Sequence, residues 1–125
     1  MDMNVKAFSI TEQTVVATAV AGTTTATISA PGHSASAIVI TWVCFSASAA
    51  PAGAVALTIK EDSGGANTTR FQAEISANAT APVMLNFVRP VRVATGKDAK
   101  VSIPSLGGGV TGTITVGYFI AGNQL

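Results

Sequence analysis

The chain has 125 residues, 7 Lys+Arg against 6 Asp+Glu, one His, one Cys and a formal charge of +1. A hydrophobic content of 48% excludes intrinsic disorder, because that much apolar surface offsets the entropy of ordering the chain. Near-neutral charge with dispersed Lys and Arg excludes a nucleic-acid footprint, and the lone Cys44 excludes an internal disulfide framework. Only 10% of residues are charged, well below the roughly 25% of an ordinary soluble domain. So little self-repulsion predicts a protein that works against other protein.

Residues 1–6, Met-Asp-Met-Asn-Val-Lys, lack the basic stretch and apolar run of a secretory signal, so a chain made in the cytoplasm is expected. Residues 1–12 carry Phe8 and Ile10 but precede any regular pattern, and are read as an N-terminal arm or first edge segment. The remaining residues, 13–125, are read as one domain. No charge occurs between residues 13 and 59, yet Ser46, Ser48, Pro51 and Gly53 interrupt the apolar run. Its richest part, residues 38–45, is β-branched and aromatic, which suits a pleated strand rather than a membrane helix. No flanking Lys/Arg asymmetry orients a span, so no membrane partner is expected.

From there on, the apolar period is two rather than 3.6, in short runs separated by Gly, Pro, Asn and Ser. Residues 14–20 and 23–28 are Thr/Val/Ala/Ile-rich runs on either side of Ala21-Gly22, and Pro31-Gly32-His33 breaks the chain before the apolar strand from residue 37 to 45. After Pro51-Ala52-Gly53, Val55, Leu57 and Ile59 alternate with Ala56, Thr58 and Lys60. A Gly-rich charged loop then precedes Thr69, Phe71, Ala73 and Ile75, which predicts a hairpin with Lys60 and Arg70 on facing strands. Val83, Leu85 and Phe87 share a face, and Pro90 ends that strand or marks it as an edge. A short run holds Val91 and Val93, Thr95-Gly96-Lys97-Asp98 turns, and Val101 and Ile103 form a brief strand before Pro104. The loop through Gly107-Gly108-Gly109 leads into a last strand with Ile114, Val116, Tyr118 and Ile120 on one face. About eight short strands with almost no helical pattern predict an all-β, two-layer antiparallel sandwich of jelly-roll type.

Chemistry is sparse. His33 lies in a turn and reads as an exposed loop histidine; Cys44, among Trp42, Val43 and Phe45, reads as a small buried hydrophobe. No Gly-x-Ser-x-Gly elbow supports a serine nucleophile. Glu61 and Asp62 are adjacent in a Gly-rich loop, where solvated charge is the expected role and neighbours that would point apart on a strand do not suit paired carboxylate catalysis. Neither zinc nor calcium spacing is present, and Gly107-Gly108-Gly109 is not a phosphate loop. No catalytic, metal or cofactor residue is therefore expected, and the protein is read as a non-enzyme. The Asn67-Thr68-Thr69 and Asn78-Ala79-Thr80 sequons read as loop residues. Trp42 reads as core or subunit interface, with a sugar-stacking platform as the rival.

The positive signal concerns surfaces. Strict alternation across residues 38–45 puts Ile38, Ile40, Trp42 and Cys44 on one face and Val39, Val43 and Phe45 on the other. A half-solvated strand needs one apolar face, so a second layer of the same chain or a subunit interface must cover the other. Phe119 plays the same part in the last strand. Phe8, Ile10, Val39, Val43, Phe45 and Phe119 are the predicted interface residues.

The strand grammar of Thr14-Val15-Val16-Ala17, of residues 38–45, of Pro82-Val83-Met84-Leu85-Asn86-Phe87 and of Thr113-Ile114-Thr115-Val116-Gly117-Tyr118 resembles small β-sandwich virion proteins of tailed bacteriophages, capsid decoration or cement proteins among them. The likeness covers roughly residues 12–120 and includes no diagnostic motif, so it carries over no functional residue. It implies a structural protein made in the host cytoplasm and resident in the virion. Such a protein associates with itself, often as a homotrimer, and bridges subunits of the major capsid protein. A tail or fibre module, or a free-standing carbohydrate-binding sandwich, are the alternatives.

Overall fold

A computed structural model describes residues 12–32, 35–62, 67–77 and 82–122. The described residues form eight strands: β1 (Gln13–Val20), β2 (Thr24–Ile28), β3 (Ala37–Ala47), β4 (Val55–Asp62), β5 (Asn67–Ile75), β6 (Val83–Arg92), β7 (Asp98–Ile103) and β8 (Thr111–Ala121). They make two four-stranded sheets, the first in order β1-β8-β3-β6 and the second in order β2-β7-β4-β5. Every pairing is antiparallel, with β1 on β8, β2 on β7, β3 on β6 and β4 on β5. This nested pairing is the jelly-roll connectivity, so the predicted all-β sandwich is the observed fold. No helix among the described residues is long and apolar enough to cross a membrane.

The core lies between the sheets. Ile38, Ile40, Val43 and Phe45 of β3 meet Ile114 and Val116 of β8 on one side, and Leu57, Ile59, Val101 and Ile103 of the second sheet on the other. Phe71 of β5 and Phe87 of β6 close one open side, with ring centroids 4.9 Å apart and planes at 76°, an edge-to-face pairing. Backbone bonds tie the loops at both ends. Ser48 N donates to Thr111 O at 2.9 Å and Ala52 N to Leu106 O at 2.8 Å, and at the other end Val93 N donates to Ile38 O at 2.9 Å. The predicted turn at residues 95–98 is present, with Gly96 at a φ of 73°, a conformation that costs glycine nothing.

Three features depart from the sequence reading. First, the alternation of β3 changes phase. Its register against β8 runs Ile40↔Tyr118 and then Trp42↔Gly117, leaving Thr41 as an extra, bulged residue. A bulge of one residue exchanges the faces of everything after it. Ile38, Ile40, Val43 and Phe45 therefore all point inward, and Val39, Trp42 and Cys44 point outward. Val43 and Phe45 are 0% and 1% exposed, so both leave the predicted interface and belong to the core. Second, the short run at residues 91–93 is not an independent strand. β6 continues through it after residues 87–90 bow out opposite Thr41, since Ile40 faces Val91 and Trp42 faces Asn86. Pro90 sits in that excursion on an edge strand, where its missing N–H takes nothing from a ladder. Third, Phe8 and Ile10, and with them residues 1–11 of the predicted arm, lie outside the described residues, as does His33.

The phase change predicts a sharp contrast between two apolar substitutions. Phe45→Ala is expected to cost about 3–5 kcal/mol of unfolding free energy, as for other fully buried aromatics. Val88→Ala, at a fully exposed position, is expected to change stability by less than about 0.5 kcal/mol. Urea midpoints of the two variants check this. A small effect at Phe45 would restore that side chain to the surface.

Candidate functional site

The two sheets present chemically different outer faces. On the second sheet, register places Asp98 opposite Asp62 and Lys100 opposite Lys60, with Glu74 exposed on β5. The like-charged lysines are tolerated because Lys100 Nζ turns to Asp62 Oδ2 at 2.7 Å. A row of hydroxyls continues this face, with Thr58 Oγ1 and Ser102 Oγ 3.2 Å apart. That is an ordinary solvated surface.

The outer face of the first sheet is built differently. Register aligns Val16, Thr115, Cys44 and Met84 in one row, and Thr14, Gly117, Trp42 and Asn86 in the next. Thr18, Thr113 and Ser46 make a third, in which the two threonine hydroxyls are 3.3 Å apart. Phe119, Val39 and Arg92 align beyond the bulge. None of β1, β3 and β8 contains a charged residue. Val16, Val20 and Met84 are 59%, 63% and 53% exposed, a set of apolar side chains that water alone covers poorly. Val39 is 7% exposed yet stands outside the core cluster, and Phe119 is half-buried. Both therefore lie on this outer face, apart from Val43 and Phe45.

Trp42 organises the centre of the face. Its indole packs against Gly117, so close that a Cβ there would stand 2.0 Å from Trp42 Nε1. A glycine inside a strand marks such a close approach, and the isolated Gly117 in the alternation of β8 is that mark. Reaching across β8, Trp42 Nε1–H donates to Glu12 Oε1 at the start of β1. The bulged Thr41 is not left unsatisfied, since its hydroxyl donates to Gly117 O at 3.1 Å. Trp42 is thus neither a core residue nor a freely standing platform. One ring face is packed on the sheet and the indole nitrogen is occupied.

The other chemical candidates do not converge. Cys44 is half-buried on the outer face, not in the core. Glu61 and Asp62 end β4 rather than standing in the expected solvated loop, and they point to opposite sides of the second sheet. Glu61 is buried, and its Oε1 accepts from Arg70 Nε at 2.7 Å and from Ala94 N at 3.0 Å. These bonds, the Arg70 guanidinium first, hold its carboxyl below the ordinary value despite burial. Among the described residues no group of three or more His, Cys, Asp or Glu is arranged to hold a metal ion. No protein-family model and no curated protein matches the chain.

Two predictions follow from these contacts. Gly117→Ala must displace the indole, since Trp42 Cε2 would stand 2.2 Å from the new methyl. It is expected to cost about 1–3 kcal/mol, the range for overpacking, and to shift the emission of the only tryptophan to the red with stronger acrylamide quenching. Unchanged emission would mean that the indole does not rest on Gly117.

Glu61 makes stability pH-dependent. A carboxyl held below its ordinary value of 4.5 contributes stability above that value and loses it as pH falls through the lowered one. The urea midpoint of Glu61→Gln is expected to lie below wild type at neutral pH. The gap should close as pH drops below 4.5, and a gap that stays constant into acid would show that the carboxylate charge is not what Arg70 holds.

Proposed function

We propose that this protein is a non-enzymatic structural component of a virion, a bacteriophage capsid decoration protein that docks on the major capsid protein and on its own copies. The observation that carries the reading is the contrast between the two faces of the sandwich: charged on the second sheet, wholly uncharged across β1, β8 and β3 on the first. Jelly rolls serve capsids, lectins and cupins alike, so the connectivity by itself assigns no role. The face narrows it. A protein with few charges and one apolar, hydroxyl-rich face is suited to lie on another protein surface.

Decoration needs no more chemistry than this. A protein that binds the assembled shell and not its free subunits stabilises the shell by mass action. Contacts to several neighbouring subunits then add through effective concentration rather than through any single strong bond. Threonine hydroxyls and backbone edges supply directional contacts, while Val16, Trp42 and Met84 supply the apolar burial.

The test is quantitative mass spectrometry on particles banded from a lysate of cells producing the protein and its virus, read as copies per major capsid protein. A ratio near one or near a simple fraction of it is expected. A handful of copies per particle would move the protein to the tail or fibre. Absence from particles would overturn the virion reading and favour a carbohydrate-binding role for the face around Trp42.

A further inference from the structure

Each sheet of an open sandwich leaves two edge strands with unpaired backbone groups, and natural proteins protect such edges. Here the four edges are β1 and β6 on the first sheet and β2 and β5 on the second. Three of them carry a protective device. β6 holds Pro90 and the bowed-out residues 87–90, with Val88 fully exposed at the excursion. β5 is interrupted at Arg70, the extra residue where its register against β4 shifts between Ile59 and Lys60, and carries Glu74 as well. β2 is only 5 residues long.

β1 has none of these. It runs for 8 residues, Gln-Thr-Val-Val-Ala-Thr-Ala-Val, without charge, proline or glycine. Its register on β8 is unbroken from Gln13↔Tyr118 to Val20↔Thr111. The strand is also held in place. Tyr118 OH donates to Gln13 Oε1 at 3.2 Å, Thr18 and Thr113 hydroxyls meet at 3.3 Å, and Trp42 holds Glu12 just before the strand begins. A template this rigid needs little further ordering to accept a neighbour.

We infer that β1 is a docking edge for a second copy of this chain, and that two β1 strands pair antiparallel across a two-fold axis, joining two first sheets into one continuous eight-stranded sheet. The strand is complementary to itself. With the axis at Val16 or Ala17, outward residues Thr14, Val16, Thr18 and Val20 oppose outward residues, and inward Val15, Ala17 and Ala19 oppose inward ones, because antiparallel partners share a face. No like charges meet, and a formal charge of +1 leaves little long-range repulsion between copies. The same contact is isologous, as two-fold dimers require. It also extends the uncharged outer face without a break from one subunit to the next. The inference does not depend on the virion reading, since it concerns purified protein in solution.

The experiment is light scattering with size separation on the full chain across a wide concentration range, together with hydrogen exchange of the β1 amides. A short ladder lies at the small end of stable interfaces, so a monomer–dimer equilibrium is expected, with β1 amides more protected as concentration rises. Val16→Lys, at an exposed outward position, sets lysines opposite each other with the axis at Val16, and Val16→Lys combined with Thr18→Lys does so with the axis at Ala17; the corresponding variant is expected to weaken the dimer at least about tenfold. Met84→Lys, equally exposed but on β6 at the far side of the same sheet, is expected to leave it unchanged. Thermal unfolding of each variant confirms that the subunit remains folded. Three results would overturn the inference: a monomer at all concentrations, a trimer, or a dimer broken by Met84→Lys as strongly as by Val16→Lys, which would mean stacking of faces instead of pairing of edges.

Discussion

One extra residue in the middle of β3 decides what both faces of the first sheet carry. Thr41 has no register partner on β8, so side chains after it exchange sides. Without that bulge, Trp42 and Cys44 would follow Ile38 and Ile40 into the core, and Val43 and Phe45 would stand in solvent. With it, four branched or aromatic side chains line the interior in succession, and the core between the sheets closes around them. The irregularity is shared by the neighbouring edge, where residues 87–90 bow out opposite Thr41. A bulge with a matching excursion on the partner strand is stable because each bent segment leaves its polar groups to a side chain or to water. The Thr41 hydroxyl on Gly117 O is that compensation on the inner strand.

The bulge then creates a demand that another residue meets. A tryptophan delivered to the outer face lands on β8, and only glycine at residue 117 leaves room for the ring. Covering Gly117 replaces the side chain that this position lacks. It also carries the indole far enough to engage Glu12, and so ties the beginning of β1 to β3 across the intervening strand. Thr41, Trp42, Gly117 and Glu12 act as one unit, which orders the sheet from its centre to its edge.

Much of the fold was legible in the sequence because period-two alternation is a direct consequence of strand geometry. The paired sides of β4 and β5, the inward set Ile114, Val116, Tyr118 and Ile120, and the turn at Gly96 all follow from local rules. The hairpin from Lys60 to Arg70 was readable for the same reason, although the extra residue at Arg70 was not. What alternation does not reveal is where it breaks. In residues 38–45 nearly every side chain is apolar, so either phase looks acceptable and nothing in the strand itself marks Thr41 as the bulge. The better clue lay elsewhere in the chain. Thr113 and Thr115 mark the outer face of β8, and the isolated Gly117 in that series points to something lying on it. Contacts set by distant segments, such as Glu61 on Ala94 N, leave no local pattern to read.

The separation between inner and outer residues has a functional consequence. Fold stability rests on the core cluster, on Glu61 with Arg70 and Ala94, and on the outer face only at the Trp42–Gly117 contact. Val16, Thr18, Met84 and Asn86 take no part in that cluster, so they are free to be shaped by whatever the face meets. The second sheet carries Lys60, Asp62, Lys100, Asp98 and Glu74, whereas β1, β8 and β3 of the first sheet carry no charge and its charges are confined to Arg89 and Arg92 on the edge strand β6. On the proposed function, a sandwich polarised in this way lies with its charged sheet outward and its hydroxyl-rich sheet against the partner. Under that proposal, a consistent orientation is what would let each copy bridge its neighbours in the same way.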